Sequence, residues 1–479
     1  MTESLLEQDA TAQLAALAGK RVSAVELLKA SLARHAETHA ALNAVVAADP
    51  ERALEQARAI DDARSRGENV GLLAGLPMTV KDTFDVSGMA ASSGLAAFRR
   101  RMVGDAAAPG AARHAGAVIW GKTNVPVMAA DWQSANGLYG ATNNPWDLAR
   151  TPGGSSGGAA AALAARVTAL EIGSDIGGSL RVPAGFCGVF SHKPTWGLVS
   201  QRGHVPPHPG SHAERDLNVV GPMARSARDL RLLLSILENG PLAPKAPPAD
   251  LQDARIGLWL DDPLCPLDPE VRAVIEAFAR DLRLAGAEVE LIQSPTDMRV
   301  LLHSYQTLLG AILGEDMPPS ALRAMELRRP FAKAALARGA EPLSTAAMTV
   351  AYTARHREWM AADAVRARLR HEIAEQFDRW HVILAPITPV PAFLHDKRPF
   401  ARRSLKTSDG GGIAYNALIT WISLATALHL PATAIPAGLT PGGLPVGVQL
   451  IGPLGGDARC LALAHAIDEN VRGFVAPPL

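Results

Sequence analysis

Serine set among glycines is the first chemistry this sequence offers. Ser155 and Ser156 stand between Gly153-Gly154 and Gly157-Gly158, and Ser179 follows Gly173, Gly177 and Gly178. Glycine lets backbone N–H groups approach a ligand closely and permits positive φ at little cost. The two clusters therefore predict amide donors aimed at a bound group, with a serine hydroxyl beside them. Flexible linkers would not enclose what lies between them, an alanine-rich run and then an apolar run, long enough for a helix and a buried strand. A hydroxyl needs a base before it attacks a carbonyl. None of the 14 histidines falls in a recognisable Ser-His-Asp order, and Gly-Ser-Ser-Gly is not the G-x-S-x-G elbow. A lysine serves instead where burial disfavours its ammonium form, which lowers its pKa by roughly 3 to 5 units. Lys81, at the end of the apolar run 71–80, is the best-placed candidate.

The elements that must position these groups alternate along the chain. Ser23 and Glu26 form a capping box before one helix, Asp49-Pro50 opens another, and 42–48 reads as a short strand between them. A helix over 106–115, a strand over 117–120 and a Gly-Lys-Thr-Asn loop at 121–124 follow. This alternation predicts an α/β protein with a mixed or mostly parallel sheet under helices. Segments 189–200 and 221–222 read as further loop and strand, and Ser226 opens an amphipathic helix closed by Asn239-Gly240. The proline-rich run 241–248 is the most linker-like stretch. Beyond it lie a strand over 255–260, a helix from Asp268-Pro269 to about Gly286 and a strand over 288–292. The segment 298–380 is helical by pattern, with one long helix from Ser344. Strands over 432–436 and 446–452 and a helix capped by Asp457 close the chain. The resulting division is an N-terminal helical region 1–70, a core 71–240, a helix-rich region 241–430 that shapes a pocket, and 431–479 completing the core.

With 479 residues, 48% of them hydrophobic and 20% charged, the chain can bury a large core. Lys+Arg and Asp+Glu are both 47, so no global field draws nucleic acid or an anionic membrane. Three scattered cysteines argue against a disulfide framework, and the first twenty residues carry no signal-peptide pattern; both point to the cytoplasm. The uncharged run 417–437 contains His429, Pro431 and Pro436 and reads as a buried helix, turn and strand rather than a membrane span.

Taken together, GLPMTVKD around Lys81, GGSSGG around Ser155, GSDIGGSLRVPA around Ser179, Cys187-Gly188, KPT at 193–195, GPMARSARDL from Gly221 and LPVGVQLIGP from Leu444 resemble the amidase signature family of serine hydrolases. The resemblance spans 75–453. It implies one large domain with a central mixed sheet covered by helices on both faces, and a Ser-cisSer-Lys triad. Ser179 would be the nucleophile, Ser155 the bridging serine after a cis peptide bond, and Lys81 the base. The family's 24-residue interval selects Ser155 over Ser156. Backbone N–H groups of Ile176, Gly177, Gly178 and Ser179 would hold the oxyanion, and Asp175 with Arg181 would fix the turn. Segment 128–132 resembles the family stretch bordering the substrate cleft, which makes Met128, Ala129 and Asp131 candidate substrate contacts.

Other features are read as structural. Cys187, between Phe186 and Gly188-Val189, is a packing residue. His204, His208 and His212 recur every four residues, but Pro206, Pro207 and Pro209 forbid the helix that would gather them on a metal, so they belong to an ordinary or pocket-lining loop. Ser191-His192 and His429 depart from the family pattern at positions expected to alter loops near the site. The function expected is hydrolysis of C–N bonds in small amides, aryl amides included, with esters and carbamates open to the same acyl-enzyme route. No metal or cofactor is called for; the partners are the amide and water, the chain acting as a monomer or homodimer without nucleic acid or membrane. Two alternatives remain: the glutaminase subunit of a tRNA-dependent amidotransferase, and a non-catalytic scaffold of the same fold.

Overall fold

The computed structural model describes residues 2–238, 250–315 and 317–479. The proline-rich run 241–248 and the closure at Asn239-Gly240 lie outside them. Eleven strands share one mixed sheet: β1 Val45–Ala48, β2 Pro77–Lys81, β3 Val118–Thr123, β4 Leu170–Asp175, β5 Phe190–Lys193, β6 Val219–Ala224, β7 Arg255–Trp259, β8 Glu288–Ile292, β9 Val382–Pro386, β10 Ala432–Leu439 and β11 Pro445–Ile451. Their spatial order is β1-β3-β2-β4-β6-β5-β10-β11-β9-β7-β8. β2 runs parallel to β3 and β4, β9 and β8 run parallel to β7, and the central pairs from β4–β6 to β11–β9 are antiparallel.

Helices cover both faces, because side chains alternate across each strand. Along β9, Val382 and Leu384 join one apolar cluster and Ile383 and Ala385 the other. The first cluster is closed by the N-terminal helices and by helices Ala227–Leu237, Pro269–Leu284 and Asp457–Asn470; the second by Arg181–Cys187, Met298–Glu315 and Thr420–Ala427. Local chemistry sets the helix starts. Ser23 and Glu26 make the reciprocal capping box, and Asp49 caps a helix whose first residue is Pro50.

Several readings change. β3 runs through Thr123, so 121–123 is buried strand rather than loop. Lys122 is tolerated there because its Nζ lies 3.1 Å from Asp82 Oδ1 and donates to Phe84 O at 2.7 Å. The helix from Ser344 ends at Tyr352 and a second spans His356–Ala374. Arg329 bonds both the carbonyl and the hydroxyl of Thr353 at the break. β9 follows directly on the helical segment 298–380, at a place where the sequence pattern assigns no element. Asp457 is the first residue of its helix rather than its cap; its carboxylate accepts from Thr195 N–H at 2.8 Å and faces His192 Nε2 at 3.1 Å. His192 is accordingly a buried residue of β5 and not part of a loop. Among the described residues no helix is long and apolar enough to cross a membrane.

Candidate active site

Lys81 stands at the end of β2, the third strand from one edge of the sheet, and is fully buried. Its Nζ lies 2.8 Å from Ser155 Oγ, 2.8 Å from Ser174 Oγ and 3.3 Å from the Ser174 carbonyl. Burial pushes the amine down to about 7, with Asp175 and Glu171 pulling the other way. Ser155 follows a cis peptide bond from Gly154 and precedes helix Gly157–Ala164, all of whose residues are buried. The bond from Gly154 sits against backbone: a Cβ on Gly154 would come within 2.5 Å of Asp131 O and 2.8 Å of Trp132 C.

Ser179 ends the turn that leaves β4. Gly178 has φ +90°, a conformation that favours glycine, and a Cβ there would come within 2.9 Å of Val182. Asp175 organises this turn. It accepts from Gly178 N–H at 2.8 Å and Leu180 N–H at 3.2 Å, and Arg181 grips it through Nε at 3.0 Å and Nη2 at 3.1 Å. Burial alone would raise the Asp175 carboxyl; the Arg181 charge and hydrogen bonds, with Lys193 and Gly178 N–H, hold it below its ordinary value. Two aromatic residues grip the turn from the other side. Tyr305 Oη donates to Ile176 O at 2.8 Å, and Trp132 Nε1 donates to Gly177 O at 2.7 Å.

The four amides expected to hold an oxyanion are therefore not equivalent. Gly178 N–H is spent on Asp175, whereas those of Ile176, Gly177 and Ser179 have no acceptor among the described residues. Because carbonyl and N–H point opposite ways in a trans peptide, Tyr305 aims the Gly177 N–H away from itself. No hydrogen bond joins Ser155 Oγ to Ser179 Oγ; the two strands of the site meet instead through Ser156 N–H to Ser179 O at 3.2 Å.

Around this centre, Asp131 does not stand free for a substrate. Its Oδ2 accepts from Arg403 at 2.6 Å and its Oδ1 from Tyr415 at 2.7 Å. Trp132 packs against Phe400 and Tyr415, with ring centroids 5.8 and 5.6 Å away. Met128 and Ala129 form the half-buried turn Val127–Ala129 leading into Asp131. Cys187 is buried in the second apolar cluster, where burial pushes its thiol up. Sequence reasoning missed Ser174 and His204: His204 Nε2 lies 2.8 Å from the same Ser174 Oγ that meets Lys81. The proline-rich segment around His204 gave no sign of that contact.

Comparison with known proteins fits this geometry. The family model "Amidase" matches residues 26–461. The chain belongs to the amidase family. Among amidase relatives, a glutamyl-tRNA(Gln) amidotransferase subunit of Thermosynechococcus vestitus is 32% identical over 95% of this chain and 96% of its own. A solved structure described as an amidase is 29% identical, with TM-score 0.78 over 97% of this chain and all of that one. The solved glutamyl-tRNA(Gln) amidotransferase subunit of Thermotoga maritima is 25% identical, with TM-score 0.72 over 95% of this chain and 94% of that one. The large mixed sheet between helical layers is thus that of the amidase signature enzymes, and the chain is a hydrolase of that family.

Proposed function

We propose that this amidase hydrolyses the C–N bond of small amides, aryl amides in particular, through an acyl-enzyme on Ser179. The observation that carries the reading is the buried contact of 2.8 Å between Lys81 Nζ and Ser155 Oγ, with the amine near neutrality. Lys81 takes the Ser155 proton as Ser155 takes that of Ser179, and Ser179 Oγ bonds to the substrate carbonyl carbon. The N–H groups of Ile176, Gly177 and Ser179 hold the oxyanion; each such donor is worth about 2.7 to 4 kcal/mol in a transition state. When the C–N bond breaks, the leaving nitrogen receives the proton back through Ser155. Water then attacks the ester carbonyl, giving its proton along the same path to Lys81, and Ser179 leaves with a proton returned to it. Esters and carbamates of the same shape enter by the same route. The chain needs no partner for these steps and acts as a monomer or homodimer.

The relatives named as amidotransferase subunits favour a second reading, a glutaminase subunit. Glutamine brings an α-ammonium and an α-carboxylate to the site. The aromatic wall of Trp132, Phe400 and Tyr415 offers them no charge, and the nearby Asp131–Arg403 pair is already closed on itself. That weighs toward apolar acyl or aryl groups.

The test is to assay the purified chain alone on p-nitroacetanilide and on glutamine, beside the Ser179→Ala variant. Anilide turnover that disappears with Ser179 is expected. Glutamine hydrolysis without anilide turnover would reverse the ranking, and failure of Ser179 to react with a fluorophosphonate would leave the scaffold reading.

A further inference from the structure

We infer that His204 is a positioning residue for the base: by holding the Ser174 hydroxyl as a donor, it keeps the free electron pair of Lys81 directed at Ser155. The inference rests on the proposed role of Lys81. Its basis is the direction of each hydrogen bond in one buried chain.

His204 Nδ1 lies 2.7 Å from Pro206 O, and a carbonyl can only accept. Nδ1 therefore carries the hydrogen, and Nε2 is an acceptor. Nε2 faces Ser174 Oγ at 2.8 Å, so the Ser174 hydroxyl donates to it. Ser174 Oγ must then accept from Lys81, as the Ser174 carbonyl also does. Two N–H bonds of a neutral Lys81 are thereby committed to Ser174. The remaining position on nitrogen faces Ser155 Oγ, where a proton acceptor is required.

A proton-relay role for His204 fails on its proton affinity. Burial, with the Lys81 and Arg215 charges adding to it, holds the imidazole down to about 3 against the hydrogen bond to Pro206, so it does not take a proton from a group near 7. The groups facing Lys81 are Asp175 and Glu171 of β4; those facing His204 are Lys81 and Arg215. The ring is held by the backbone that follows Lys81. Asp85 N–H donates to Gly203 O at 3.0 Å, Val205 N–H to Thr83 O at 2.7 Å, and Phe84 meets the ring edge to face at 5.0 Å. Base and acceptor thus ride on paired segments.

Without the imidazole, the Ser174 hydroxyl is free to turn and donate to Lys81. That occupies the electron pair and favours the neutral amine. The experiment measures the rate of Ser179 labelling by a fluorophosphonate from pH 5 to 10, which needs no knowledge of the natural substrate. His204→Leu is expected to slow labelling on the order of tenfold and to move the acid limb to lower pH. His204→Gln, whose amide oxygen can take the place of Nε2, is expected to restore most of the rate and the limb. In the Ser174→Ala background, His204→Leu is expected to cause no further loss. A slow His204→Leu variant with an unmoved limb, or a Gln variant as slow as the Leu variant, would reduce His204 to packing and overturn the inference. Should the Leu variant fail to fold, the Gln variant decides on its own: a rate and limb close to wild type support the inference, and a rate about tenfold below wild type overturns it. Lys81→Ala is the control: if it labels normally, the proposed role of Lys81 has failed, whereas a dead Lys81→Ala beside an unaffected His204→Leu defeats only the role of His204.

Discussion

A buried lysine is not a base merely because burial lowers its pKa, and two lysines here show the difference. Burial brings both Lys81 and Lys193 down to about 7. Lys193 Nζ donates to the Pro194 carbonyl at 3.0 Å, a group with no proton to give, whereas Lys81 meets two hydroxyls. Geometry puts one where the proposed mechanism needs a base and leaves the other a packed side chain. Lys81→Ala and Ser179→Ala are each expected to abolish turnover with circular dichroism unchanged; substantial hydrolysis by a folded Ser179→Ala protein would contradict the assignment. Since only the neutral amine accepts a proton, kcat/KM is expected to rise with pH through about 7, following a single ionisation. A profile flat from pH 5 to 9 would remove Lys81 from the mechanism. Lys81, Ser155 and Ser179 are legible in the sequence because glycine clusters and a charge ending an apolar run stand out locally. Ser174 and His204 are not, since their meeting depends on pairing between segments of unrelated pattern.

At the scale of elements, the turn after β4 is set by neighbours rather than by its glycines alone. Tyr305 comes from helix Met298–Glu315, in the stretch expected to shape a pocket, and it fixes the Ile176–Gly177 peptide plane. Tyr305→Phe removes that grip while keeping the ring. Losing one oxyanion donor costs about 100- to 1000-fold in kcat, so loosening the peptide that carries one is expected to cost roughly tenfold, with KM little changed. An unchanged kcat would show that Asp175 and Trp132 suffice to hold the turn. The glycine cluster before Ser155 has a parallel constraint. Gly154→Ala places a methyl into the backbone of Asp131 and Trp132 and is expected to lower the yield of soluble protein and eliminate activity; a stable, active variant would show that this backbone can move. Elements whose chemistry is local were readable, such as the Ser23 and Asp49 caps. β3 extends past its sequence signal because Lys122 looks like loop until Asp82 and Phe84 are beside it, and β9 is hard to read because its apolar run ends in proline after a long helical stretch.

Across the whole molecule, the site holds together because distant segments converge on one guanidinium. Arg181 bonds Asp175 at the end of β4, Ile422 O at 3.0 Å and Thr426 Oγ1 at 2.6 Å on helix Thr420–Ala427, and Gln449 Oε1 at 2.8 Å on β11. Gln449 in turn donates to Pro386 O at 2.9 Å, where β9 ends, and to Trp421 O at 2.8 Å. Helix Thr420–Ala427 and strands β9 and β11 are thus tied to the turn after β4, an arrangement the amphipathic patterns of separate helices could not announce. Removing one partner of a fully buried pair leaves the other charge uncompensated, typically at about 3–5 kcal/mol. Arg181→Met is therefore expected to lower the urea midpoint strongly, and Arg181→Lys less, since an ammonium restores the charge but not the planar fork. The pH dependence has a definite sign. Asp175 is held below its ordinary 3.8, so its contribution is present above that value and is lost as pH falls through the lower folded value. In Arg181→Met the carboxyl loses the charge that holds it down, and its folded value rises. The gap in stability between wild type and variant should accordingly be widest near neutral pH and close on acidification; a gap that stays constant down to pH 3 would mean that Arg181 stabilises the fold by packing rather than through Asp175.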